Sequence, residues 1–349
     1  MASGGLDNQT SFTLGRYPSF ESKTYAGYIQ GKYDILSVLQ LSAGLRHQDM
    51  NLEVQDFIGT MEQVQMAYGV GKTATSIPGG KNSYGVSLFN AGILYKPNLN
   101  QQYWFTFSQG AALADPAKFY GVGKYNLNTK TLNWDLLSSV NINDQKVQAI
   151  VTNQFELGYR FSSGGFRMQM AGFYAQSEKS IELDNSANNL TILVKEIPLR
   201  NLGLEGIASY QLENGISFGI NALVIKSEIK NKEAWEKQNI FIASPSKVTS
   251  YFAYQKNKFD ARFQNLQLFN LRDQQNNLIK GYNLSDLMLG YQLPVGRLNV
   301  GIQNLFNTYY QTVWSARAQI LYGGAVKLPE MFFYSGRGRT FTLSYALDF

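Results

Sequence analysis

The chain has 349 residues, of which 16% are charged and 14% aromatic, with 22 Tyr, 22 Phe, no cysteine and a formal net charge of +6. The lack of cysteine excludes disulfide scaffolds, thiol catalysis and cysteine metal sites, and suits an oxidising compartment outside the cytoplasm. No run of eighteen apolar residues exists, which excludes a transmembrane helix; Met1–Phe20 lacks the apolar core of a signal peptide; and the Lys and Arg are scattered, which argues against a nucleic-acid stripe.

Period-two alternation begins at Leu39, Leu41, Ala43 and Leu45, set against Gln40, Ser42, Gly44 and Arg46, with a turn at 34–37 before it. A long polar segment, 50–81, follows. Within it Gly69-Val70-Gly71-Lys72-Thr73 imitates part of a phosphate loop, but the required first glycine would fall at Met66 and no apolar strand leads in, so the segment reads as a loop. After a tight turn at 96–100 and a second long segment at 111–149, alternation returns in Phe155, Leu157, Tyr159 and Phe161. Across a turn at 162–165 it continues in Phe166, Met168 and Met170. Further tight turns fall at Asn214-Gly215, 255–258 and Pro294-Val295-Gly296, and further long segments at 180–196, 229–245, 268–280 and 305–336. Phe259, Ala261 and Phe263 form another one-sided strand, and the tail from Thr340 to Phe349 alternates without a fault.

Short and long connections therefore take turns along about thirteen strands, far from the connection lengths of an ordinary compact domain. The pattern predicts an all-β fold: an antiparallel transmembrane β-barrel with tight turns on the periplasmic rim and long loops outside. Tyr25, Tyr28, Tyr33, Tyr95, Tyr103, Tyr159, Tyr210, Tyr291 and Tyr345 near strand ends resemble an interfacial girdle. A soluble sandwich or propeller also hides one face of each strand, but long loops on one side only argue against it.

His47 is the only histidine, so neither a Ser-His-Asp arrangement nor a multi-histidine metal site is expected. Glu156, Glu205, Asp260 and Asp286 fall on polar strand faces and are expected to pair with Arg160, Arg262 and their neighbours, not to act as an acid–base pair. The chain reads as a binder and transporter, not an enzyme, with no catalytic residue and no protein-held metal. The segment Tyr309, Tyr310, Gln311, Thr312, Val313, Trp314, Ser315, Ala316, Arg317 gathers aromatics and a cation in one outer loop, a set that can hold a bulky anion by stacking and charge-assisted hydrogen bonds. The candidate ligand contacts are Trp314, Arg317, Tyr309, Tyr310, Tyr322 and Phe119, with Lys118, Arg46 and His47 near the rim. Packing of a folded loop is the competing role for each of them.

Asn304-Leu305-Phe306-Asn307, Gly336-Arg337-Gly338-Arg339-Thr340-Phe341 and the terminal Phe349 resemble the closing region of TonB-dependent outer-membrane receptors. Phe107-Ser108-Gln109-Gly110, Asp115-Pro116-Ala117-Lys118-Phe119-Tyr120-Gly121, Ser244-Pro245-Ser246-Lys247, Gln292-Leu293-Pro294-Val295-Gly296 and Thr312-Val313-Trp314, in that order, are most similar to the ferric aerobactin receptor branch. The resemblance implies residence in the bacterial outer membrane and a 22-stranded barrel, of which 1–349 would be the incomplete C-terminal part, without the plug. It further implies a ferric hydroxamate-type siderophore as ligand, with ferric iron entering only as part of it and no other cofactor. The implied partners are the TonB complex, engaged through the missing N-terminal region, and outer-membrane lipid with the barrel insertion machinery. Phe349 resembles the assembly signal read by that machinery, and no nucleic-acid partner is implied. A general porin, or an adhesin binding sugars or host protein, is the rival reading.

Overall fold

The computed structural model describes residues 18–69, 71–112, 121–126, 132–139, 149–186, 189–195, 197–322 and 329–347. Strands β1 (Phe20–Leu36) and β2 (Leu39–Val54) form the first hairpin, and helix α1 (Thr60–Ala67) and β3 (Gly71–Ala74) lie before β4 (Gly80–Asn98). β5 (Gln101–Ala112), β6 (Gly121–Asn126), β7 (Leu132–Ser139), β8 (Ile150–Ser163) and β9 (Phe166–Ser177) follow, then the hairpin β10 (Ser180–Ser186) and β11 (Asn189–Lys195). Next come β12 (Leu199–Gln211), β13 (Ile216–Asn231), the short β14 (Ala234–Lys237), β15 (Lys247–Lys256) and β16 (Phe259–Leu268). The hairpin β17 (Leu271–Arg272) and β18 (Leu278–Ile279) precedes β19 (Tyr282–Gln292) and β20 (Arg297–Gln303); helix α2 (Val313–Tyr322) and a 3-10 turn, Pro329–Phe332, precede β21 (Thr340–Ala346).

One sheet runs β1-β2-β4-β5-β8-β9-β12-β13-β15-β16-β19-β20-β21, with β14 attached to β13. Its thirteen long strands are the number expected from the turns. None of the described helices is long and apolar enough to cross a membrane.

Register converts the sequence alternation into two continuous faces. Tyr33, Leu41, Ile93, Phe105, Leu157, Gly172, Leu204 and Val224 stand opposite one another in turn across eight strands and give an apolar row. A one-residue slip in any ladder would turn that strand's apolar set inward, so burial in lipid fixes the register. Near the tight turns the same face carries an aromatic girdle. Ring centroids lie 4.7 Å apart for Tyr103–Tyr159, 5.9 Å for Phe161–Phe166 and 5.8 Å for Tyr210–Phe218. Tyr28 is a correction to the expected girdle: it stands opposite Arg46 on the polar face, because its even position puts it out of phase with Tyr33. At the Asn214-Gly215 turn Gly215 has φ +91, a conformation that glycine tolerates and bulkier residues resist.

The polar face is satisfied by pairs other than those expected. Trp104 Nε1 donates to Glu156 at 2.6 Å, and the indole lies across Gly158, where a Cβ would collide with the ring. Arg160 donates from Nε and Nη2 to Gln169, at 2.9 and 2.7 Å. Arg262 sits 4.0 Å from the Tyr251 ring, and Asp260 pairs with Arg297 instead. Register supplies the reason: Arg160 is directly opposite Gln169, while the Asp260–Arg297 pair closes over Gly290, which has no side chain in the way.

The long connections are not simply polar coil. Phe57, Ile58, Met66, Ala74, Ile77 and Trp134 form a small core among α1, β3 and β7, with Leu136 packed against it. The Gly69–Thr73 segment, expected to be loop, is in part strand: β3 pairs in parallel with β7, Gly71 opposite Leu132 and Ala74 opposite Trp134. Its helix precedes it, whereas a phosphate loop needs the helix to follow.

Candidate ligand-binding site

The predicted aromatic loop is launched by its own asparagines. Asn304 is 5% exposed with φ +50; its Nδ2 donates to the carbonyls of Thr308 and Arg337, at 2.9 and 3.0 Å, and its Oδ1 accepts from the Thr308 amide. Asn307, also left-handed, accepts from the Arg339 amide at 2.9 Å. The Asn-Leu-Phe-Asn motif thus ties the two feet of the loop together, a role suited to the residue type that most readily enters the left-handed region after glycine.

Thr312 caps α2, its Oγ1 accepting from the Ser315 amide at 3.2 Å. Ser315 is fully buried; its hydroxyl donates to the Phe332 carbonyl at 2.8 Å and accepts from the Tyr334 amide at 2.6 Å. One face of α2 enters a core of Ile240, Ile279 and Ala316, with Phe241, Leu271, Val313 and Ile320 packed around it. These residues come from three separate outer loops. Arg317 fastens two of them: Nε donates to the Ile240 carbonyl at 3.0 Å and Nη2 to the Ala243 carbonyl at 2.8 Å. Asp273, 2% exposed, fastens the third, accepting from the Ile240 amide at 3.4 Å, the Gln275 and Asn277 amides at 2.9 and 3.0 Å, and Asn277 Nδ2 at 3.0 Å. Burial pushes the Asp273 carboxyl up, but the hydrogen bonds from Asn277, Ile240 and Gln275 outweigh it and hold the group below its ordinary value. Burial also lowers the Arg317 guanidinium from its usual range.

On this platform Trp314 is 78% exposed, with the Arg317 guanidinium 5.8 Å from its ring centroid. Tyr309, 76% exposed, stacks on Phe333 at 5.8 Å, and Tyr310 packs on Tyr282 at 4.4 Å and covers Gly336. Trp314 and Tyr309 therefore present free aromatic surface, whereas Tyr310 and Arg317 are engaged in holding the loops. Tyr322 ends α2, and its side chain, like Lys118, Phe119 and the terminal Phe349, lies outside the described residues. Arg46 and His47 are separated by strand parity. Arg46 is on the polar face beside Gln48, at 3.2 Å, while His47 is on the opposite face, bonded to Ser87 at 2.9 Å and 3.5 Å from Asp49. Of the residues that clamp the loops, Asp273 carries no signal in the sequence; Ser315 stands out only as a member of the aromatic segment and Asn304 only through its motif. Among the described residues no group of His, Asp or Glu could hold a metal ion.

Over residues 2–305 the chain matches the family described as TonB dependent receptor-like, beta-barrel. It is 40% identical over 98% of its length to the rhizobactin receptor of Rhizobium meliloti (strain 1021), covering 45% of that protein. It is 39% identical over its whole length to the ferric aerobactin receptor of Klebsiella pneumoniae, and 38% to that of Escherichia coli, covering 47% of each. The chain thus spans about half the length of the curated relatives it matches. Among solved structures, the ferric-catecholate import receptor Fiu from E. coli in its closed form superposes with a TM-score of 0.64 at 17% identity, covering 93% of this chain and 44% of that one. The copper transporter OprC does so with a TM-score of 0.64 at 14% identity, covering 92% and 47%. At such identities these two likenesses concern the fold alone.

Proposed function

The chain belongs to the TonB-dependent receptor-like β-barrel family, whose barrels lie in the bacterial outer membrane, and from that premise we propose that it forms part of a receptor for a ferric hydroxamate-type siderophore of the aerobactin kind. The observation that carries the reading is similarity along the whole chain, outer loops included, to receptors named for rhizobactin and ferric aerobactin. In the receptor as a whole, an anionic ferric complex is captured by outer-loop aromatics and cations, and uptake is energised by the TonB complex acting on the receptor's N-terminal region. Iron is cargo inside the chelate, so the chain needs no cofactor and performs no catalysis. Outer-membrane lipid and the insertion machinery are its remaining partners.

Trp314 and Tyr309 supply the free aromatic faces for this capture, and Arg317 contributes by holding α2 and by the positive potential it places beside Trp314. The test is titration of ferric aerobactin, with an iron-free control, into the full-length detergent-refolded receptor. Saturable, iron-dependent binding is expected, weakened about 10- to 30-fold by Trp314→Ala, the loss typical of a central aromatic anchor. A well-folded receptor that binds neither form would overturn the ligand assignment.

A further inference from the structure

The apolar face ends abruptly in positive charge at one corner of the barrel. Down β12 it runs Tyr210, Ala208, Gly206, Leu204, Leu202 and then Arg200; along β13 it runs Phe218, Ile220, Ala222, Val224 and then Lys226, Glu228 and Lys230. The ten residue steps from Tyr210 to Arg200 cover about 33 Å of strand, which a tilt near 40° reduces to about 25 Å along the membrane normal, the height of the lipid-facing band. Arg200 and its neighbours therefore stand at the outer headgroup level, on the face that meets lipid.

These groups are organised, not scattered. Glu228 is 4% exposed, and its two oxygens accept from different cations, Arg200 Nε at 2.7 Å and Lys226 Nζ at 2.6 Å. The Arg200 guanidinium lies 4.0 Å from the Trp235 ring centroid, and β14 places Trp235 opposite Lys230 and Lys237 opposite Glu228. Two cations thus hold one carboxylate, register brings Lys237 and Lys230 alongside on the same face, and a tryptophan, the residue type favoured at membrane interfaces, is held among them. The nearby Glu178, just past β9, accepts from Gln176 at 2.6 Å.

On several other strands the same face carries paired or neutral groups towards its outer end. Lys23 pairs with Glu21 at 2.9 Å, Lys81 with Glu53 at 3.0 Å, Gln109 bonds Asn153 at 2.8 Å, and Asn265 bonds Asn283 at 2.7 Å. We propose that the corner formed by Arg200, Lys226, Lys230, Trp235 and Lys237, braced by Glu228, binds the phosphorylated headgroup of an outer-leaflet lipid. The cations meet the phosphate, Trp235 meets the boundary between headgroup and acyl chain, and the apolar rows of β12 and β13 run beneath the chains. The site faces away from the lumen and is independent of whatever ligand the loops capture.

The test uses the protein extracted from outer membranes in mild detergent, exchanged into phosphatidylcholine nanodiscs that contain a minor fraction of diphosphorylated lipid A, with retained lipid counted by native mass spectrometry. Wild type should retain lipid A saturably and should not retain the dephosphorylated form. Removing two cations with K226Q/K237Q should weaken retention about 30-fold, the combined effect of two basic side chains at a membrane surface. K256Q/K258Q, at the opposite rim, should leave it unchanged. Equal retention of dephosphorylated lipid, unaltered retention by K226Q/K237Q, or an equal loss in both double variants would overturn the proposal; heat-modified gel mobility verifies that each variant is folded.

Discussion

Arg317→Met separates two roles for the cation beside Trp314. Methionine keeps much of the apolar stem, so packing against α2 survives while both hydrogen bonds to the next loop are lost. The acceptors left behind are the carbonyls of Ile240, 0% exposed, and Ala243, 3% exposed, where water does not readily replace the guanidinium. A buried acceptor stripped of its partner costs about 1–3 kcal/mol, so the pair amounts to about 3–4 kcal/mol of local stability. At about 1.4 kcal/mol per decade this is a rise of 100- to 1,000-fold in local opening, within the range that hydrogen exchange resolves. The peptide spanning 239–246 should lose protection by that amount, with a smaller loss in 271–279, because Asp273 holds the same loop through the Ile240 amide. The strand amides of β15 and β16 should not change. Unchanged exchange in 239–246 would refute the clamp. If ligand affinity then fell without any change in exchange, the guanidinium would be acting on the ligand directly.

Asp273 makes the same platform acid-sensitive. Its folded-state carboxyl is held below the ordinary value, so its stabilisation is complete above an unfolded pKa of about 3.9 and is lost as pH falls through the depressed folded value. Limited proteolysis of the β17–β18 hairpin should accelerate in that acid window for wild type and lose that dependence in Asp273→Asn. Glu228→Ala leaves half-buried Arg200 and exposed Lys226 without their common partner and should destabilise the protein by about 1–2 kcal/mol in denaturant unfolding, with Glu228→Gln milder. Gly158→Ala drives a methyl group into the Trp104 ring and should cost about 1–3 kcal/mol, visible as altered Trp104 fluorescence together with a lower denaturation midpoint.

The barrel wall was legible because its physical demand is simple. Lipid on one side and a polar interior on the other require only that alternate residues differ in polarity, and Leu39 to Arg46 or Thr340 to Phe349 state this outright. Strand number and the order of short and long connections followed from the same pattern. What alternation did not disclose was how the polar face pairs. Asp260 meets Arg297, two strands over in the sheet, across a glycine, and no local spacing announces that. Tyr28 falls outside the girdle for two reasons that composition does not show: it sits midway along β1, and its parity puts it beside Arg46.

The loops impose a different kind of demand, and it explains why candidate residues could be gathered by type but not assigned a task. Trp314 and Arg317 look alike from composition, as an aromatic and a cation suited to an anion; yet one is 78% exposed and the other is spent on two carbonyls more than seventy residues away. Arg46 and His47 are adjacent in sequence and face opposite sides of the wall. A period-two wall accepts many sequences, since any apolar residue of suitable size satisfies an outward position. The platform accepts few: Ile240 must fit Ala316 and Ile279, while its carbonyl and amide meet Arg317 and Asp273. Changes on the outward face of the wall should therefore act through stability and lipid contact. Changes in the three clamped loops should alter the position of Trp314, and with it the exposed aromatic surface proposed for binding.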